Sequence, residues 1–434
     1  MSDDSATDAD AVSLALSSEI PPIDTARVLD DLRRLAEATS DDRGAQRVAW
    51  TGTWAEARAF VVAAADELGL GVERDEAGNQ WFYLPGERSE TIAIGSHIDS
   101  VPNGGWLDGA LGVMAAIGVA RALVEAGVKP ELTVAVVDFA DEEGARFGRS
   151  LFGSAAAAGS LEPAELHGLR DTDGIGIEQA LAEHGVDLDS APDAASRLEQ
   201  VRAFVELHIE QGPVLEAAGL GVGAVEGAMG ISRSRVRMLG QIGHAGATPM
   251  AERRDPMVAT ASAITEIAAR AEAVGGLATI GEVRVDPNVP TAVPREVEFI
   301  VDLRHTEAAR LSELAAELAG VAERAAESAG CRCELSRIWE SDPVRFDQGL
   351  IDIAKREASR VAGGSVPLFS GPGHDAVEMA RAVPAAMLFA PSIDGISHAA
   401  EEDTDESDLR EAIEAYGAMC LRLATGRASL GPDG

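Results

Sequence analysis

Lysine is almost missing from this chain. Of its 36 basic residues only Lys129 and Lys355 are lysines, and 73 acids stand against them, leaving a net charge of −37 over 434 residues. A surface so poor in positive charge repels a phosphate backbone, and no basic stripe interrupts it, which argues against a nucleic-acid partner. Self-repulsion on this scale becomes tolerable when concentrated salt screens it. The acidity therefore reads as the solvated surface of a halophile's protein, with an acidic face for a basic partner as the other reading.

Cysteine is scarce as well. Cys331, Cys333 and Cys420 are odd in number, and the first two are separated by a single residue. No disulfide framework follows, which fits a reducing cytoplasm. No apolar run approaches the ~20 residues of a membrane span, and "MSDDSATDADAVSLALSSE" lacks the positive start of a signal peptide. These absences lead us to expect a cytoplasmic protein that does not engage a membrane.

What is present is apolar bulk, 46% of the residues, in a chain too long for one ordinary core. After an acidic, flexible tail over 1–22, "DTARVLDDLRRLAEA" and "TWAEARAFVVAAADELG" have helical periodicity with Asp or Thr as caps. The strand "TIAIGSHID", the helix "GALGVMAAIGVARALVEAG" and the strand "ELTVAVVDFADEEG" then form a β-α-β crossover. An α/β fold is predicted, with a mixed, mostly parallel sheet flanked by helices. From about residue 222 the pattern changes to long alternating strands such as "LATIGEVRVD" and "EVEFIVDLRH" with two helices. This predicts an inserted α+β sandwich over 222–341, interrupting a catalytic domain made of 23–221 and 342–434.

In open sheets of this kind ligands gather where strands end. His97 leaves one buried strand, Asp108 follows at a helix start, and "DEEG" at 141–144 leaves the next strand. Strands about 5 Å apart let such groups converge. Carboxylates brought together would repel and take up protons unless a cation sat among them. Nitrogen and oxygen donors suit Zn²⁺ or Mn²⁺, and the cysteines lie elsewhere.

The segments "GSHIDSVPNGGWLDG", "DEEGARFGRSLFGS", "ELHIEQGPVLE", "GHAGATPM", "VDLRH", "SGPGHDA" and "SHAAEED" resemble those of the di-metal aminoacylase/carboxypeptidase superfamily. More narrowly they are similar to its amidase branch: N-carbamoyl-L-amino-acid hydrolases, β-ureidopropionases and allantoate amidohydrolases. The resemblance runs in order from about residue 25 to the C-terminus. It implies two divalent ions per subunit, Zn²⁺ or Mn²⁺ with Co²⁺ or Ni²⁺ as alternatives, bridged by Asp108 and completed by His97, His208, Glu143 and His398. It implies Glu142 as the general base and His244 as an oxyanion donor reaching the partner subunit's site. Arg304 would clamp the substrate carboxylate and Gln211 would contact the ureido group; a strand-edge salt bridge and a surface glutamine are the plainer readings of these two. Asp99 would orient His97, and His374 would serve mostly as loop architecture.

One departure bears on the substrate. Where the family usually has asparagine, "DPNVPTAVPRE" has Thr291, with Asn288 three residues earlier as a possible substitute. The expected activity is hydrolysis of the carbamoyl C–N bond of N-carbamoyl-L-amino acids to amino acid, ammonia and CO₂, by a homodimer joined through the inserted domain. Allantoate amidohydrolase and β-ureidopropionase are the alternatives. An N-acyl hydrolase, a peptidase and a non-catalytic binding protein fit the pattern less well.

Overall fold

A computed structural model describes residues 20–428. Most of the expected acidic tail lies outside these residues; Ile20 near its end and Ile23 just past it pack against the core. The helices of fifteen residues or more are α1 (Thr25–Thr39), α2 (Gly52–Glu67), α3 (Ala110–Glu125), α4 (Pro256–Ala273), α5 (Ala308–Ser328), α6 (Gln348–Ala362) and α7 (Glu406–Ala424). The longer strands are β1 (Gly71–Arg74), β2 (Gln80–Leu84), β3 (Arg88–His97), β4 (Leu132–Phe139), β5 (Val201–Ile209), β6 (Gly223–Ala228), β7 (Gly230–Leu239), β8 (Leu277–Asp286), β9 (Glu296–His305), β10 (Arg332–Ser341) and β11 (Ala385–Ala390).

The chain divides into two compact units. The first holds the chain up to Glu226, Phe346–Leu368 and the described residues from Gly373 onward; the second holds Gly227–Arg345 with Phe369–Pro372. The expected insertion, 222–341, began earlier because β6 starts inside the sheet of the first unit, where Gly223–Val225 pair with β11.

In the first unit the strand order is β6-β11-β5-β3-β4-β2-β1. The central strands β11, β5, β3 and β4 run parallel, and the outer ones antiparallel to their neighbours. Parallel strands must be buried on both faces, which explains the continuous apolar runs of β3 and β4. The helix α3 is apolar all round because it is enclosed: every residue from Ala110 to Leu123 is buried, against β3, β4 and β5 and between α1 and α7. Register aligns the carboxyl ends, with His97 opposite Phe139 and His208 opposite Phe389. The sheet thus delivers the residues that follow four strands to one edge.

The second unit has its own core. Its antiparallel sheet runs β8-β9-β7-β10. On β9 the residues Val297, Phe299, Val301 and Leu303 alternate inward, and the last three meet Ala263 and Ile267 of α4 and Leu314 and Leu318 of α5. The other face is polar, and Arg233, Arg235 and Arg237 pair across strands with Asp302, Glu298 and Glu296. Among the described residues no helix is long and apolar enough to cross a membrane. All three cysteines are free.

Candidate metal centre

The site is assembled from loops that leave β3, β4, β5 and β11. Asp108 stands at its centre. Its Oδ1 lies 3.1 Å from Nε2 of His208 and 3.7 Å from Nε2 of His97, while Oδ2 lies 3.3 Å from Nε2 of His398. Glu143 completes the second side, with Oε2 3.5 Å from the same His398 nitrogen. Two groups that could hold a metal therefore share Asp108: His97 with His208, and Glu143 with His398, the donor atoms of each group lying within 4.8 Å of one another.

The local backbone explains this convergence. His97 ends β3, and the chain returns through Gly109, which has φ +64 and caps α3 without a side chain against the His97 ring. Asp141 and His398 also have φ near +57, an uncommon region for residues other than glycine that tends to occur where a site dictates the backbone.

Whether these residues suit a divalent cation can be tested on their hydrogen bonds. His97 and His208 are each 1% exposed, and the Nε2 atoms that face Asp108 have no hydrogen-bond partner. Their other ring nitrogens lie 3.1 Å from the Asp99 carbonyl oxygen and 3.0 Å from that of Ile209, which fixes each ring with its free nitrogen toward the carboxylate. A buried imidazole nitrogen left open while its partner nitrogen is held by a carbonyl is the usual condition of a metal ligand. Oxygen and nitrogen donors alone are present, so the set suits a divalent cation that takes such ligands rather than a soft-ligand ion.

Electrostatics point the same way. Burial drives Glu142 well above the ordinary carboxyl range, partly offset by His97. Glu143 is pushed up to about 7 by burial and then by the Asp108 charge. Burial opposes charge on His97 and His208, yet the surrounding carboxylates outweigh it and raise both. His398 rises to about 9 through its hydrogen bond to Asp108. Acids that resist ionising beside bases that hold their protons describe a site short of positive charge, which bound dications would supply.

The structure brings together every expected residue of the first unit. Asp99, expected to orient His97, approaches its Nδ1 with the main-chain carbonyl at 3.1 Å and the carboxylate at 3.6 Å. The carboxylate also accepts the amide N–H groups of Glu142 at 3.2 Å and Glu143 at 3.1 Å, holding the next strand's loop. Gln211, at φ +56, directs both amide hydrogens inward, to Asp108 Oδ2 and Ser397 Oγ at 3.0 Å each.

The remaining expected residues belong to the second unit. His244 is exposed on the short strand Gly243–His244, which pairs with Ala292–Val293, and Ala245 donates to the Thr291 carbonyl at 2.9 Å. Thr291 thus neighbours His244, and Asn288 is exposed further along the same connection. Arg304 donates to Asp302 at 2.8 Å and to the Gly371 carbonyl at 2.7 Å. It lines a groove of about 560 Å³ with Arg233 and Thr279.

Sequence reasoning overlooked two buried groups, Glu402 and Glu206. Glu402 accepts the amides of Leu107, Asp108 and His398 and the Ser397 hydroxyl, tying the two halves of the ligand set together. Glu206 accepts from Ser96 and from the Ala376 amide. It sits two residues before His208 on a strand, hence on the same face, a signal that was available. His374 had been given a loop role; its ring is buried, 4.4 Å from that of His208, and burial holds its pKa well below the ordinary value.

Comparison with known proteins adds an independent line. Residues 93–422 match the peptidase family M20/M25/M40. The chain is 38% identical over 386 residues to an N-carbamoyl-L-amino acid amidohydrolase of Geobacillus stearothermophilus, covering 88% of this chain and 94% of that one. It is 33% identical to the allantoate amidohydrolase of Bacillus subtilis, covering 92% and 97%. The fold is similar to the crystal structure of an amidase of the hydantoinase/carbamoylase family from Burkholderia multivorans, with a TM-score of 0.85 at 32% identity and coverage of 94% and 98%.

Proposed function

The chain belongs to the peptidase family M20/M25/M40, and from that premise we propose that it is an N-carbamoyl-L-amino-acid hydrolase, releasing amino acid, ammonia and CO₂. It is a hydrolase of the amidohydrolase type. The observation that carries the reading is Asp108 shared by two open triads, in a chain whose relatives at 33–38% identity are named for hydrolysis of carbamoyl amino acids or allantoate.

The proposed ligands are His97 and His208 on one side, Glu143 and His398 on the other, with Asp108 between. Two divalent ions held there would supply an acidified water and an electrophile for the carbonyl oxygen. Glu142, with Oε2 3.7 Å from the His97 ring, takes a proton from the attacking water and returns it to the leaving nitrogen. Gln211 has both amide hydrogens engaged, which leaves its carbonyl oxygen to accept from a ureido N–H. In the second unit, Arg304 is a fork already oriented by Asp302, suited to a substrate carboxylate. His244 is assigned the developing oxyanion, with Asn288 as a further polar contact. A homodimer through the second unit is part of the proposal.

The experiment is an ammonia-release panel on full-length enzyme at high salt. N-carbamoyl-L-amino acids, N-carbamoyl-β-alanine and allantoate are compared with Zn²⁺, Mn²⁺, Co²⁺ or Ni²⁺ added in turn. The expected result is the highest kcat/KM on an N-carbamoyl-L-amino acid. Turnover of allantoate alone would move the chain to the runner-up activity, which Thr291 at the family's asparagine position keeps in view.

A further inference from the structure

The candidate ligands His97, Asp108 and Glu143 lie on two turns, 97–108 and 141–144, and one short segment that supplies no ligand binds both. It is "GAQRVAW", Gly44 to Trp50, between a small hairpin that pairs Ser40–Asp41 with Gly44–Ala45 and the helix α2.

On the first turn its contacts form a ladder. Ala45 and Gly104 exchange both main-chain hydrogen bonds, at 2.8 and 3.2 Å, and the Gln46 side chain donates to Asn103 Oδ1 at 2.9 Å. Gly44, at φ +122, permits this approach, because a Cβ there would fall 2.6 Å from the Gly104 oxygen. The Arg47 amide donates to Ser100 Oγ at 3.1 Å, and its carbonyl accepts the Ser100 amide at 3.1 Å. Arg47 Nε donates to the carbonyl of Ile98, the residue after His97, at 2.8 Å. The Arg47 side chain is wholly buried, which lowers the pKa of its guanidinium. The charges of Asp108, then Glu402, Asp99 and Glu143 oppose that effect.

On the second turn the hold is a single short hydrogen bond. Trp50 Nε1 donates to Asp141 Oδ2 at 2.6 Å, and Asp141 immediately precedes Glu142 and Glu143. The two residues it joins are both left-handed, Trp50 with φ +62 and Asp141 with φ +58. For a bulky side chain that backbone is an outlier, and it persists only where the surroundings over-determine it. Here they do. The Trp50 ring packs on Trp54 with centroids 4.8 Å apart and edge-on to Phe152 at 5.7 Å, and Arg146 donates to the Trp50 carbonyl. The start of α2 does not require this conformation, since Thr51 caps the helix with its own hydroxyl.

We propose that Gly44–Trp50 is a positioning strap for the metal centre, in which Arg47 sets the turn carrying His97 and Asp108, and Trp50 sets the turn carrying Glu142 and Glu143. The inference rests on the ligand assignments of the proposed function. Arg47 acts through the Ile98 carbonyl and Trp50 through Asp141, so both are positioning residues. The spacing between the two turns is thereby fixed from outside the ligand set, the role that outer partners of metal ligands serve.

The test starts from Trp50→Phe, which keeps a ring and removes the N–H. Full-length protein is titrated with Mn²⁺ or Zn²⁺ in competition with a chromogenic chelator. Amide hydrogen exchange is followed in peptides covering 98–108 and 141–148, and kcat and KM are measured on N-carbamoyl-L-amino acids. Binding of one ion should weaken by about tenfold or more, the usual cost of losing an outer partner. Exchange should quicken in 141–148 and not in 98–108, and kcat should fall with KM little changed. Arg47→Met should quicken exchange in 98–108 and loosen both ions, because Asp108 is shared. Asp141→Asn keeps an oxygen for the indole and should retain wild-type metal affinity. Asp141→Ala should lose it, and adding Trp50→Phe to Asp141→Ala should cost nothing further.

Wild-type metal affinity and exchange in Trp50→Phe would overturn the proposal. So would unchanged exchange over 98–108 in Arg47→Met, equal losses in Asp141→Asn and Asp141→Ala, or a further loss in the double variant. The Trp50–Asp141 comparison stands even if Arg47→Met fails to fold. Affinity and exchange are read without turnover, so a wild type that released no ammonia from any carbamoyl substrate would count against the proposed function and not against the strap.

Discussion

Gly109 and His97 occupy one space between them: a Cβ on Gly109 would fall 2.3 Å from Cε1 and 2.5 Å from Nε2 of the His97 ring. The nitrogen so approached is the one left open toward Asp108. Substituting Gly109→Ala should therefore both strain the left-handed backbone and displace a proposed ligand. The expected cost is about 2 kcal/mol in denaturant unfolding, together with loss of one bound metal by elemental analysis. Unchanged stability and metal content would show that the His97 ring is free to move.

The sharing of Asp108 separates two kinds of ligand variant. Asp108→Ala should abolish both ions, whereas His398→Ala should remove only the one it shares with Glu143. Metal-to-protein ratios after reconstitution should read near zero and near one respectively. Equal losses in the two variants would mean that the triads do not act as distinct sites.

Glu142 stands beside the ligands without completing either triad. Glu142→Gln should keep both metals while turnover falls by roughly 10²–10⁴, the range for removal of a general base. Near-normal turnover in metal-loaded Glu142→Gln would assign the proton transfer elsewhere.

The pH response should reverse on metal loading. In metal-free protein burial raises Asp138 to about 6 and Asp141 to about 8, and burial with the Asp108 charge raises Glu143 to about 7. Unfolded carboxyls titrate near 4. Between those values the folded state binds more protons than the unfolded one, so stability falls as pH rises. His398, raised to about 9, contributes stability below its unfolded pKa that is lost through about pH 9, with the same sign. Metal-free enzyme should thus gain several degrees in Tm on going from pH 8 to pH 6. Metal-loaded enzyme should lose them, because uptake requires deprotonated ligands. Parallel trends in the two forms would contradict this account.

Much of the architecture was legible because its periods are clean. Their patterns placed β8 and β9 at 277–286 and 296–305, and the β-α-β order placed α3 between β3 and β4. His97, Asp108 and "DEEG" were legible because they follow buried strands or open a helix at glycine-marked turns, while His208 and His398 entered as ligands only through the family resemblance. Glu402 was not, since one acid within "EED" looks like any other in so acidic a chain, and its role comes from amides nearly 300 residues away.

His398 differs from the other proposed ligands in one respect that governs how the centre empties and fills. Its side chain is 52% exposed, whereas those of His97 and His208 are 1% exposed. The ion beside Glu143 would then exchange directly with the medium, while the ion between the two buried rings would be kinetically trapped. Stripping with a chelator should proceed in two phases, with turnover lost in the fast one. A centre built this way can shed and recover half of its metal without losing the other half.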